Sequence, residues 1–79
     1  MKEKDLIEYI ARQLVDQPDK VYVKETRGAS VTVLELHVDR EDMGRVIGKD
    51  GRVANALRTI LRVMSQERRV VLELSLIHL

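Results

Sequence analysis

The first apolar residues of the chain recur three or four positions apart, as on one face of a helix: Leu6, Ile7, Ile10, Ala11, Leu14 and Val15. This spacing predicts an amphipathic helix over residues 3–16. Pro18 follows closely, and the residue before a proline avoids helical geometry, so we expect the helix to end ahead of it.

Two strands are predicted next. Residues 20–26 include Val21, Tyr22 and Val23, and residues 31–38 are again rich in branched apolar residues. The turn between them contains Gly28, which supplies a left-handed position. The second strand changes phase, with apolar residues on opposite faces: Leu34, Leu36 and Val38 against Val31 and Val33. A bulge, or a strand covered on both faces, would explain that change.

The second half predicts a short helix, a turn, a longer helix and a strand. Asp39 is a suitable N-cap for a helix over residues 40–46. Gly44 inside it suggests close approach by another helix or a ligand, since glycine weakens a helix. After Gly48–Gly51 comes a helix over residues 52–65. Its expected buried stripe is Val53, Leu57, Ile60, Leu61 and Met64. Residues 66–68 form a loop, and residues 69–76 alternate as a strand.

The predicted order is therefore α-β-β-α-α-β. The short turn makes the first two strands antiparallel, so a third strand must run parallel to one of them and antiparallel to the other. A three-stranded mixed sheet covered by three helices makes a two-layer α+β fold. With 79 residues, we expect one domain over residues 1–79.

The segment Gly48-Lys49-Asp50-Gly51 is the strongest chemical signal. Glycines without Cβ atoms let a backbone approach a ligand closely. The helix that follows directs free N–H groups toward this turn. Together with Lys49 and Arg52, these groups make an anion site suited to a phosphodiester.

Positive charge gathers around this turn, although the net charge is only +1. Residues 1–43 carry seven Lys or Arg against ten Asp or Glu, whereas residues 44–69 carry seven against two. Such a concentration is typical of a polyanion site. A solvated helix face is the plainer alternative, and the adjoining glycine turn favours the polyanion site.

Other classes of function find little support. The chain has no cysteine and two distant histidines, so neither a disulfide nor a metal site is expected. No apolar run approaches the ~20 residues of a membrane span, and a cytoplasmic location is expected. A Walker loop would need a longer turn and a Ser or Thr after its lysine. No catalytic set is evident either, so we expect no cofactor and no enzyme activity.

The run Val46-Ile47-Gly48-Lys49-Asp50-Gly51-Arg52, within this order of elements, resembles the signature of type II KH domains. The whole chain resembles the small single-domain bacterial KH proteins of the KhpA type. That resemblance implies a cytoplasmic single-stranded RNA-binding protein that acts as an RNA chaperone. It also implies a possible homodimer or a complex with a larger KH-containing RNA-binding protein.

The resemblance also assigns roles to residues. Gly48 and Gly51 become the loop glycines that clamp the RNA backbone. Lys49 becomes the loop cation, with Asp50 beside it opposing phosphate or accepting from a base. The other expected RNA contacts flank the loop or begin the last strand: Arg45, Val46, Ile47, Arg52, Asn55 and Arg69. Ala54 stands where many KH domains carry a larger aliphatic residue.

Two alternatives stay open at the level of sequence. A KH-like protein-interaction module could have lost RNA binding, although such a module has no need of Lys49 and a basic flank. Single-stranded DNA could replace RNA, because most expected contacts go to phosphate. Arg58 and Arg62 are expected to face solvent. The apolar end of the chain, which includes Leu76, Ile77 and Leu79, predicts self-association or pairing with another KH protein.

Overall fold

A computed structural model describes residues 2–76. Its helices and strands follow the predicted order: α1 (Glu3–Leu14), β1 (Tyr22–Arg27), β2 (Val31–Val38), α2 (Met43–Ile47), α3 (Arg52–Met64) and β3 (Arg69–Leu76). Three single-turn 3₁₀ segments join them: Pro18–Lys20, Arg40–Asp42 and Lys49–Gly51. The α+β fold with a three-stranded mixed sheet is thereby confirmed, and it has the order of a KH-like domain.

The sheet has the strand order β1-β2-β3. β1 and β2 are antiparallel, with Tyr22 opposite His37, and β2 and β3 are parallel, with Leu34 opposite Leu72. Both ladders run without a skipped residue, so the bulge considered for the second strand is absent from this sheet. β3 lies at an edge, which leaves its outer side accessible to a ligand.

The phase change in β2 has a simpler cause. Thr32 occupies the core-facing position ahead of Leu34, and it is buried at 5% exposure. Arg68 donates a hydrogen bond to its hydroxyl oxygen at 3.1 Å, so the buried oxygen is satisfied. Val31 and Val33 are half-buried on the opposite face of the sheet.

One hydrophobic core joins the helices to the sheet. Its buried members come from every helix and strand and from the segment before β1: Ile7, Ala11, Val21, Val23, Leu34, Leu36, Val38, Val46, Leu57, Leu61 and Leu72. Most of the predicted α3 stripe is confirmed, but Ala54 is buried and Met64 is 40% exposed. The helix ends at Met64, so that side chain lies beyond the packed turns.

Several element boundaries differ from prediction. The helix predicted over residues 40–46 opens with the 3₁₀ segment Arg40–Asp42, so α2 itself begins only at Met43. α1 ends at Leu14 rather than at residue 16, and β1 begins at Tyr22 rather than at residue 20. The 3₁₀ turn Pro18–Lys20 accounts for the later start of β1, because it directs the chain into the sheet only after Val21. Residues 77–79, to which the self-association prediction refers, lie outside the described residues.

Two carboxylates hold the α1–β1 connection against the start of α2. Asp42 is buried at 1% exposure and accepts the backbone N–H groups of Asp16 and Gln17, each at 3.1 Å. Asp39 caps the turn as predicted by accepting the Glu41 N–H, and this bond lowers the pKa of the Asp39 carboxyl. These contacts fix the start of the helix that leads into the glycine turn.

Candidate nucleic-acid interface

The glycine turn is packed tightly against the first turn of α3. Gly48 has a φ of +79° and Gly51 a φ of +78°, both left-handed. A Cβ atom on Gly48 would lie 2.5 Å from Val53 Cγ2 and 2.7 Å from the Val53 nitrogen. No other residue fits there, so Gly48 is required by the backbone itself. The turn therefore lies directly against the start of α3, toward which the first N–H groups of that helix point.

The two residues between the glycines project into solvent. Lys49 and Asp50 are both exposed. Asp50 has a φ of +57°, in the left-handed region that aspartate and asparagine tolerate better than most residues. The backbone therefore offers a reason for Asp50 that is independent of any ligand.

Gly44 has open space where a side chain would be. A Cβ atom there would meet nothing within 4 Å, so the expected close approach by another helix is wrong for the described chain. On the same helix, Ile47 is 37% exposed, whereas Val46 is wholly buried in the core. The exposed surface beside the loop thus comes from Gly44 and Ile47.

Arg45 differs from the other basic residues expected at the site. Its guanidinium lies 3.0 Å from an Asp16 carboxylate oxygen and 3.8 Å from Asp42. It is therefore tied to the α1–β1 connection. Lys49, Arg52 and Arg69 make no ion pair with any residue from 2 to 76.

A groove between α3 and the edge strand β3 lies next to the loop, since a Cβ atom on Gly51 would lie 3.7 Å from the side-chain nitrogen of the groove residue Asn55. Its volume is about 430 Å³. The polar side chains that line it include two residues expected from sequence, Asn55 and Arg69, and four that were not: Arg58, Thr59, Arg62 and Arg68. We call this groove the cationic groove.

Arg58 and Arg62 are exposed as predicted, but sequence alone did not place them in a groove. Each donates to a neutral oxygen: Arg58 Nη2 to the Leu72 carbonyl at 3.3 Å, and Arg62 Nη2 to the Thr59 hydroxyl at 3.2 Å. Their four-residue spacing beside the basic start of β3 was the available signal. Within residues 2–76, none of the four groove arginines forms an ion pair with a carboxylate.

The described residues contain no group of three or more His, Cys, Asp or Glu side chains that could hold a metal ion. Over residues 2–76, no helix is both long and apolar enough to span a membrane.

Comparison with known proteins identifies relatives over nearly the whole chain. The family profile described as "KhpA/KhpB, KH domain" matches residues 4–75. RNA-binding protein KhpA of Aquifex aeolicus is 51% identical over 73 residues, which cover 90% of this chain and 92% of the relative. Its counterpart in Clostridium perfringens is 47% identical, over 90% of this chain and 97% of the relative. No solved structure matches the chain.

Proposed function

The chain belongs to the KhpA/KhpB family of KH domains, and on that premise we propose that it binds single-stranded RNA without catalysing a reaction. The observation that carries the proposal is a tight glycine turn next to a groove whose arginines form no ion pair with a described carboxylate. A polyanion would supply the missing negative charge along the full length of this surface.

In the proposed complex, the phosphates lie at the loop and the bases lie in the cationic groove. The loop N–H groups left for a phosphate are those of Lys49 and Asp50, because those of Gly48, Gly51 and Arg52 donate to nearby backbone carbonyls. The side chains of Lys49 and Arg52 add positive charge. Asn55 and Arg69 line the path of the bases. Ile47 and the open surface at Gly44 give a base an apolar contact near the loop. Val46 supports this surface from the core, and Arg45 lies at its margin.

We expect weak RNA binding that does not require one exact base sequence, as suits an RNA chaperone. The sequence has two tyrosines and neither Phe nor Trp, so the stacking platforms of other RNA-binding folds have no counterpart here. Binding should weaken with salt, by roughly 0.7 in the logarithmic slope for each phosphate contact to a single strand. Because the relatives are bacterial RNA-binding proteins, the proposal also places this protein in the cytoplasm.

Pairing with a second copy, or with a larger KH-containing RNA-binding protein, is part of the proposal. Val63 is 65% exposed and Met64 40% exposed, side by side at the end of α3. A small domain gains stability when a partner covers such surface. Sedimentation at micromolar concentration tests this: a monomer that also fails to bind any KH-containing partner would contradict it.

Titration with matched oligonucleotides tests the proposed RNA binding. We expect single-stranded RNA to bind, duplex RNA to bind more weakly, and affinity to fall as salt rises. Equal affinity for single-stranded DNA of the same sequence would favour the broader function of a single-strand binder. An absence of binding at low salt would contradict the proposal and favour the protein-interaction module.

A further inference from the structure

The protein's own arginines already occupy hydrogen-bond acceptors in the cationic groove. Arg58 Nη2 donates to the Leu72 carbonyl oxygen at 3.3 Å, and Arg62 Nη2 donates to the Thr59 hydroxyl oxygen at 3.2 Å. The same Thr59 hydroxyl donates to the Asn55 carbonyl at 3.0 Å. Thr59 thus both donates and accepts within the protein.

Most of the hydrogen-bonding groups that the groove leaves for a ligand are donors. A guanidinium carries five N–H groups, and the contacts above use one from Arg58 and one from Arg62. Of the described residues that line the groove, none carries a carboxylate. A base that enters it therefore meets more unused donors than unused acceptors.

Arg58 and Arg62 of α3 lie beyond the loop and Arg52, which would hold phosphate. Arg58 is six residues after Arg52, about 9 Å along the helix axis, and Arg62 is one turn further. The Leu72 carbonyl lies across the groove on the edge strand. An exocyclic amino group of a base that approached this oxygen would compete with Arg58, which already donates to one of its lone pairs.

We propose that the cationic groove selects bases with a carbonyl oxygen at purine position 6 or pyrimidine position 4, with Arg58 as the specificity-determining residue. Guanine and uracil carry an oxygen acceptor where adenine and cytosine carry an amino group. Arginine pairs with the adjacent O6 and N7 acceptors of guanine through two N–H groups. The groove therefore favours guanine and uracil over adenine and cytosine. This inference rests on the proposed binding of single-stranded RNA in the same groove.

Two pairs of short RNAs test the preference in the full chain. The first pair compares uridine with cytidine oligomers of equal length, about eight nucleotides, enough for one KH site of four. The second places either inosine or adenosine at the same positions in a uridine oligomer, because inosine keeps O6 and N7 without promoting guanine quadruplexes. We expect the uridine oligomer to bind about tenfold more tightly than the cytidine oligomer, and the inosine oligomer about tenfold more tightly than the adenosine one.

The Arg58→Met variant assigns the preference to one residue, with Arg62→Met as its matched control. Both variants lose one positive charge from the same helix face, so both should bind all oligomers more weakly. Arg58→Met also frees the Leu72 carbonyl, and the tenfold preference should shrink to about twofold or less. Arg62→Met should keep the preference.

The outcomes separate this inference from the proposed function. Equal binding of both members of each pair by the parent chain would overturn base selection and leave RNA binding intact. Failure of every oligomer to bind would overturn both. A preference that survives in folded Arg58→Met, verified by circular dichroism, would overturn the role of Arg58. If Arg58→Met does not fold, the base preference of Arg58→Lys is compared with that of the parent chain. A full preference in Arg58→Lys overturns the assignment to the guanidinium, and a lost preference supports it.

Discussion

Charge is arranged in opposite ways in two regions of this small molecule. Where the α1–β1 connection meets the start of α2, carboxylates lie against cations or backbone N–H groups, as Asp42 does at 1% exposure. Around the glycine turn and the cationic groove, six cations form no ion pair with a described carboxylate: Lys49, Arg52, Arg58, Arg62, Arg68 and Arg69. Charge in the first region serves the fold, and charge in the second is available to a ligand.

The largest effect should come from Asp42, in the region of satisfied charge. Asp42→Ala removes the buried carboxylate and with it the hydrogen bonds from two backbone N–H groups. Hydrogen bonds to charged groups contribute about 1.5–3 kcal/mol each. We expect the free energy of unfolding to fall by about 3 kcal/mol in urea titrations. Asp16→Ala, which removes only an exposed ion pair with Arg45, should cost less than about 1 kcal/mol. Similar losses in the two variants would contradict this difference.

Reversal of the loop charge should affect binding and leave stability unchanged. Lys49→Glu places a second carboxylate beside Asp50, so we expect RNA affinity to fall at least about tenfold, or 1.4 kcal/mol. Lys24→Glu makes the same change on the exposed face of β1, away from the groove. That control should bind RNA within about twofold of the parent. Equal losses in both would show that only net charge matters.

A smaller gain should follow the removal of the loop carboxylate. Asparagine tolerates the left-handed conformation of Asp50, so Asp50→Asn should preserve the turn while it removes a charge that repels phosphate. We expect RNA affinity to rise about threefold at low salt, and the gain to diminish as salt screens the charges. Asp19→Asn, exposed in the first region, serves as the control and should leave affinity unchanged. A loss of affinity in Asp50→Asn would indicate that Asp50 contacts a base.

The smallest effect concerns pH and Asp39. The Glu41 N–H lowers the pKa of the Asp39 carboxyl in the folded state. A lowered pKa contributes stability above the unfolded value of about 4, and this contribution disappears as pH falls through the folded value. Asp39→Asn should therefore reduce the loss of stability between neutral pH and about pH 3 in urea titrations. An unchanged acid dependence would contradict the role of this cap.

The sequence predicted the features that depend on local spacing. The element order, the Asp39 cap and the glycine turn all follow from periodicity and from residues with special backbone preferences. The phase of β2 could not be predicted, because a threonine at a core position is recognisable only once its partner Arg68 is in place. Spacing along the chain does not contain that contact.

The site shows the same division between local and long-range information. The loop was predictable, whereas the groove arginines Arg58 and Arg62 resemble any exposed helical pair until β3 is placed beside them. Arg45 was expected to contact RNA, but in the structure it pairs with Asp16, which lies 29 positions away in the sequence. In the sequence, Asp42 resembles any acidic residue in the first turn of a helix. Its burial depends on the α1–β1 connection, which lies far from it in the sequence.

Residue-resolved NMR of the full chain during titration with a uridine oligomer tests the central claim most directly. We expect the largest amide shift changes in residues 44–72, led by Gly48–Gly51 and the start of α3, and little change at Asp16, Gln17 or the exposed face of β1. Changes concentrated on the first region or on the exposed sheet face, with the loop unaffected, would contradict the claim that the uncompensated cations and the glycine turn form the RNA site.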